Sequence, residues 1–170
     1  MPTGAVTFSS MSSLRGLPYP VVCAIGLDDG KFPSADRPTE FDLMAERLKQ
    51  RKIQPDLLVS STARRAMETC NHFADTLGCG TGNILKVPAL YHAPSLVFYD
   101  VIRQLPATAN TIGVFAHNPG ITDFVNSLCE DVRLDSMPTC GLFAVECPIT
   151  EWTAFPGAAK SFLFFDYPKA

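Results

Sequence analysis

Thr111-Ile112-Gly113-Val114-Phe115-Ala116-His117-Asn118-Pro119-Gly120 is the stretch on which the fold turns. Its apolar run has the length of a buried strand, and it stops at a histidine. Asn118-Pro119-Gly120 then predicts a sharp turn. Beyond it, apolar residues stand at Ile121, Phe124, Val125 and Leu128, which is helical spacing through Cys129. A strand feeding a helix through a tight turn leaves one polar side chain at the strand's carboxyl end. Open α/β sheets hold their ligands in the crevice there, so His117 is the most informative single residue. Alone, a histidine there is more often a chance strand cap, and a partner group has to be found before it reads as a site.

Outward from this unit the alternation repeats. Val21–Ile25 reads as a buried strand ended by Gly26, and Leu57–Ser60 as a second. Between them a helix capped at Thr39 or Asp42 runs to about Arg51, with Phe41, Met44, Ala45 and Leu48 as its inward stripe. Ser61 or Thr62 caps the next helix, about Ala63 to Leu77, and Gly78 and Gly80 end it. Lys86–Leu90 is a short edge-like strand, and about Leu96 to Gln104 another helix. Gly141–Cys147 and Ser161–Tyr167 read as two antiparallel strands near an edge, with Trp152 and Phe155 covering one end of the core. A further short strand is expected at Ala5–Ser9. The pattern predicts an α/β fold: three layers, a mostly parallel sheet with helices on both faces, in one domain over 1–170.

Composition narrows the function classes. A chain of 170 residues with 46% hydrophobic and 18% charged residues suits a soluble globular domain. The net charge of −3 argues against a surface that coats nucleic acid, so any anion needs a local basic site. The six cysteines make no C-x-x-C pair and no zinc spacing, and reduced thiols in the cytoplasm are the expected state. No run reaches the length of a membrane span, and no signal peptide is expected.

A partner for His117 stands after the second strand. If the two strands are parallel, the helix that starts near Ala63-Arg64-Arg65 opens on the same edge. A guanidinium, helix N–H groups and an imidazole around one small volume suit phosphate. Two surface arginines alone would be a solvated face; beside His117 the phosphate pocket becomes the stronger reading.

At this point the residues resemble a family. Ser61-Thr62-Ala63-Arg64-Arg65-Ala66-Met67-Glu68-Thr69 is similar to the S-x-x-x-R-A-x-x-T motif of the histidine phosphatases, and Phe115-Ala116-His117-Asn118-Pro119-Gly120 to their second-histidine loop. Leu90-Tyr91-His92-Ala93, Met137-Pro138-Thr139-Cys140-Gly141 and the ending Phe164-Phe165-Asp166-Tyr167-Pro168-Lys169 resemble the SixA-type phosphohistidine phosphatases in particular. The resemblance covers residues 46–170. It implies a phosphoglycerate-mutase-like fold, with Arg65 clamping a phosphoryl group, His117 stabilising its charge and Asn118 joining the phosphate site. It implies no metal and no cofactor.

The family also needs Arg-His-Gly at the end of its first strand, where the histidine attacks phosphorus. Here that strand runs into Gly26-Leu27-Asp28-Asp29-Gly30, and no histidine precedes His72. One of the two expected arginines goes with it. Residues 1–45 instead resemble a segment of the gamma chain (RecC) of the RecBCD exonuclease: Val6-Thr7-Phe8-Ser9-Ser10-Met11, Arg15-Gly16-Leu17-Pro18, Val21 through Pro33, and Phe41-Asp42-Leu43-Met44. The chain therefore reads as a chimera, with its N-terminal strand region replaced and a crossover between about Ser34 and Glu46. The alternative is a coincidental match in a diverged phosphatase.

Asp28 and Asp29 would repel a phosphoryl dianion or pair with Arg65. As a phosphate acceptor Asp28 lacks the D-x-D pattern, and a solvated turn is its expected role. His72 follows Arg65 by seven residues on roughly the same helix face, and a half-buried surface role is its simpler reading. His92 either lines the pocket or packs on Tyr91. Three functions are thereby open. One is a phosphatase-like protein with catalysis lost or very weak, acting on phosphate or a phosphorylated protein or small molecule. Another is a non-catalytic scaffold, a recombinant of two unrelated pieces with a remnant anion pocket. Under either reading the strand at Ala5–Ser9 pairs at an edge or exchanges with a second copy to make a dimer. The third and weakest is an exonuclease-subunit fragment, against which the acidic balance speaks.

Overall fold

The structure is a computed structural model that describes residues 19–27 and 40–169. Six strands form one sheet: β1 (Val21–Leu27), β2 (Leu57–Ser61), β3 (Ile84–Val87), β4 (Thr111–His117), β5 (Leu142–Glu146) and β6 (Ser161–Asp166), in the order β3-β2-β4-β1-β5-β6. The first four are parallel; β5 and β6 are antiparallel additions on one side. The helices are α1 (Glu40–Gln50), α2 (Arg64–Leu77), α3 (Ser95–Ile102) and α4 (Gly120–Leu128).

The two-residue period of β1 divides the interior into two cores. Val21, Cys23 and Ile25 face one core with Phe41, Met44, Ala45 and Leu48 of α1 and Cys70, Phe73 and Leu77 of α2. Val22 and Ala24 face the other with Phe98 and Ile102 of α3 and Ile121, Phe124, Val125 and Leu128 of α4. That is the expected three-layer arrangement. The stripes predicted for α1 and α4 are all buried, and each of their large side chains, all but Ala45, contributes on the order of 2 kcal/mol by leaving water. Phe98 and Phe124 stack at 4.7 Å, joining α3 to α4.

Several boundaries differ from expectation, each for a local reason. β1 continues past Gly26 to Leu27, because Gly26 exchanges hydrogen bonds with the loop before β5: its N–H donates to the Gly141 carbonyl at 3.1 Å, and Cys140 N–H donates to its carbonyl at 2.8 Å. β3 is Ile84–Val87; Pro88–Leu90 leaves the sheet as a 3₁₀ turn, since Pro88 has no N–H to give. Ala63, not Ser61 or Thr62, is the N-cap of α2. Ser61 is the last residue of β2, and its hydroxyl accepts the Ala63 N–H at 3.1 Å. Gly78 ends α2 as expected, at φ 71°, a left-handed position suited to glycine.

The end of the sheet opposite the strands' carboxyl ends is closed by polar pins. The Asp56 carboxylate accepts the N–H groups of Asn110 at 2.6 Å and Thr111 at 3.1 Å, fixing the start of β4 beside β2. Trp152, 2% exposed, donates from Nε1 to the Ala109 carbonyl at 2.8 Å. Trp152 and Phe155 thus cover that end of the core, as expected. The strand expected at Ala5–Ser9, the loop from Asp28 to Pro38, the cap candidate Thr39 and residues 34–39 of the crossover stretch lie outside the described residues.

Candidate functional site

The parallel strands β1, β2, β3 and β4 all end on one edge, at Leu27, Ser61, Val87 and His117. β1 skips over β4 to reach β2, while β2 continues outward to β3. This reversal of strand order opens a crevice at the carboxyl ends. A cleft of about 230 Å³ lies there, lined by Ala63, Arg64, Arg65, Tyr91, His92 and His117. The two groups that the sequence reading joined, Arg65 and His117, therefore meet at one site.

Each lining residue arrives by a short route. His117 is the last residue of β4, and its alternation with Phe115 turns it toward the α2 face of the sheet. It is half-buried, and the backbone partner beside it on β1 is Leu27, only 3% exposed. Arg65 lies in the first turn of α2, half-buried, with Nη1 shielded from solvent. No side chain caps this helix, so its first-turn amide dipoles point to the cleft end. Arg64 is different: its side chain is 91% exposed and pairs with Glu68 at 2.8 Å, one turn along. That contact is a solvated i,i+4 pair.

The 3₁₀ turn at Pro88–Leu90 carries Tyr91 and His92 over the strand ends. Both readings of His92 hold at once, because it lines the cleft and also meets the Tyr91 ring edge-on at 4.5 Å. In the sequence reading Tyr91 has a place in a motif and against His92, and no place in the cleft lining. Its place just past the end of β3 was the available signal, the same rule that singled out His117. His72 lies elsewhere. Its ring is 5.3 Å from Phe41 of α1, two helical turns from the cleft end of α2.

Asn118 is not among the lining residues. Its Nδ2 donates to the Met137 carbonyl at 2.8 Å, and its Oδ1 accepts the Thr122 hydroxyl. The Thr122 hydroxyl in turn accepts the Met137 N–H at 2.8 Å. Asn118 thereby ties the start of α4 to the Met137–Gly141 segment behind the cleft. Among the described residues no group of three or more His, Cys, Asp or Glu could hold a metal ion.

Similarity in three dimensions identifies the fold that carries this cleft. The protein histidine phosphatase SixA solved with tungstate superposes with a TM-score of 0.69 at 19% identity, over 88% of this chain and 97% of that one. A protein assigned as the phosphohistidine phosphatase SixA of Agrobacterium tumefaciens gives 0.68 at 17% identity, over 88% and 99%. The fold is that of the SixA phosphatases. A phosphoglycerate mutase of Plasmodium falciparum gives 0.58 at 14% identity, over 86% of this chain and 91% of that one, which places the SixA fold within its broader phosphoglycerate-mutase-like group.

Sequence comparison points elsewhere. The RecBCD subunit RecC of Mycobacterium tuberculosis H37Rv is 44% identical over 43 residues, and that of Escherichia coli K12 is 36% identical over 47. These matches cover 25% and 28% of this chain, and the chain spans 4% of the length of the RecC proteins it matches. No family model matches the sequence. Among the described residues no helix is long and apolar enough to cross a membrane.

Proposed function

We propose that this chain is a SixA-like protein that keeps a pocket for a phosphoryl group and has lost the covalent step. The observation that carries the reading is the pair at the strand ends: His117 and Arg65 line one cleft, while the position beside His117 on β1 is Leu27. Phosphoryl transfer in this fold rests on a positioned nucleophile and on positive charge around the equatorial oxygens. Arg65, His117 and the α2 amide dipoles supply the second element. A buried aliphatic side chain cannot supply the first. On this reading residues 1–45 are a RecC-like segment that replaces the phosphatase's own first strand within one domain over 1–170. The six free thiols suit a reducing compartment such as the cytoplasm.

Hydrolysis of p-nitrophenyl phosphate and of a phosphohistidine peptide tests the lost step. No turnover above background and no acid-labile phosphoenzyme are expected; turnover abolished by His117→Ala would overturn the reading. Inorganic phosphate tests the pocket. Saturating anion raises the melting temperature, and at a hundredfold excess over Kd it adds about 2.7 kcal/mol of stability. Arg65→Ala abolishes the effect. If phosphate at tens of millimolar leaves the wild-type melting temperature unmoved, the phosphate-pocket reading fails.

A further inference from the structure

His92 enters the cleft on a backbone arrangement that is both strained and braced. Its φ is +51°, in the left-handed region that non-glycine residues seldom occupy. The next residue, Ala93, is buried, and its carbonyl packs against the Cα of Gly120, the first residue of α4. A side chain at Gly120 would collide with that carbonyl. On the other side, Tyr91 N–H donates to the Pro88 carbonyl at 3.0 Å and Ala93 N–H to the Leu90 carbonyl at 3.4 Å. The segment bearing His92 is thus seated directly on the turn that follows His117. No flexible side chain separates them.

In the sheet, β2 lies between β3 and β4. Arg65, which follows β2, therefore enters between the chain segments that bring His92 and His117. The resulting cleft has a guanidinium and two imidazoles on its walls. Among the described residues no hydrogen bond engages the ring nitrogens of His92, whose ring contact is the edge-on Tyr91.

We infer that His92 is a third ligand of the bound oxyanion, donating from its imidazole to a phosphoryl oxygen opposite Arg65, with Tyr91 setting the tilt of its ring. The ligand class is a tetrahedral dianion, inorganic phosphate or a phosphomonoester. The inference rests on the phosphate-pocket reading above and adds a binding residue to it. A charge-assisted hydrogen bond of this kind corresponds to about a tenfold change in affinity.

The test is a phosphate titration of the full chain followed by thermal unfolding, with chloride at matched ionic strength as the reference. His92→Asn is the primary variant, because asparagine tolerates the left-handed backbone; His92→Ala is the second. Both are expected to need about tenfold more phosphate than wild type for the same shift. Imidazole ¹H–¹⁵N spectra of the wild-type protein provide an independent readout: His92 and His117 signals move with phosphate, and His72 is the internal reference that stays still. If wild type responds and the His92 variants titrate identically, with the His92 signal unmoved, the inference fails while the pocket stands. If wild type does not respond at all, both fall.

Discussion

Gly120 shows how one residue sets the distance between two segments that build the cleft. The Ala93 carbonyl occupies the space where a Cβ would stand. Alanine is ordinarily the better helix residue by about 1 kcal/mol, but that gain assumes room for the methyl group. Here the obstacle is backbone rather than the far end of a mobile side chain, so the collision outweighs the propensity. Gly120→Ala is expected to destabilise the fold by about 2 kcal/mol, read as a lower urea midpoint with an unchanged slope. A variant as stable as wild type would show that α4 and the Ala93 segment are not locked together. His117 and Arg65 were legible at this scale, because strand-end and helix-start signals flank them. The side-chain direction of Asn118 was not: its partners Met137 and Thr122 lie 19 and 4 residues away, and only the fold sets the longer contact.

Among the elements, α1 and β6 are joined by a partly buried charged clamp. Arg47 Nη1 donates to Asp166 Oδ1 at 2.8 Å and to the Tyr167 carbonyl at 2.9 Å. Arg51 reaches Asp166 Oδ2 at 3.6 Å, and its guanidinium lies 4.0 Å from the centre of the Phe164 ring. The Asp166 side chain is 11% exposed, so screening is limited and loss of its nearer partner leaves a poorly hydrated carboxylate. Arg47→Ala is expected to cost about 2 kcal/mol, and a double-mutant cycle with Asp166→Ala should give a coupling above about 1 kcal/mol. Simple additivity would reduce the clamp to a surface pair. The helical stripes and apolar strands were readable because burial on one face imposes a period of 3.6 or 2. Their ends were less so. The Leu27 end of β1 and the Val87 end of β3 depend on which neighbour supplies or lacks a hydrogen bond.

Across the whole molecule the thiols report the integrity of both cores. Burial pushes Cys23, Cys70 and Cys147 up to about 12, and Cys140 is raised too. The folded state then holds protons that the unfolded chain releases above pH 9. Stability from this source is complete below that pH and falls as pH rises toward 12, each thiol steepening the loss by about 1.4 kcal/mol per pH unit. Lys160, lowered by burial, runs the other way below its ordinary value, as the folded state holds fewer protons. With several thiols against one amine, the melting temperature should drop steeply between pH 9 and 10.5. Cys23→Ala, which removes a thiol from the central strand, should flatten that slope. A flat profile for wild type would mean that the thiols are not sealed in the cores.

The sequence alone determined the alternation of strands and helices, the inward stripes and the two polar groups worth joining. These follow from local periodicity and turn chemistry, which are written along the chain. Tertiary structure alone decided that β1 lies beside β4 with Leu27 opposite His117, that Asn118 bonds to Met137 and Thr122, and that Tyr91 and His92 line the cleft. Strand order and the close approach at Gly120 bring these residues together from distant parts of the chain, and no short-range pattern encodes that distance.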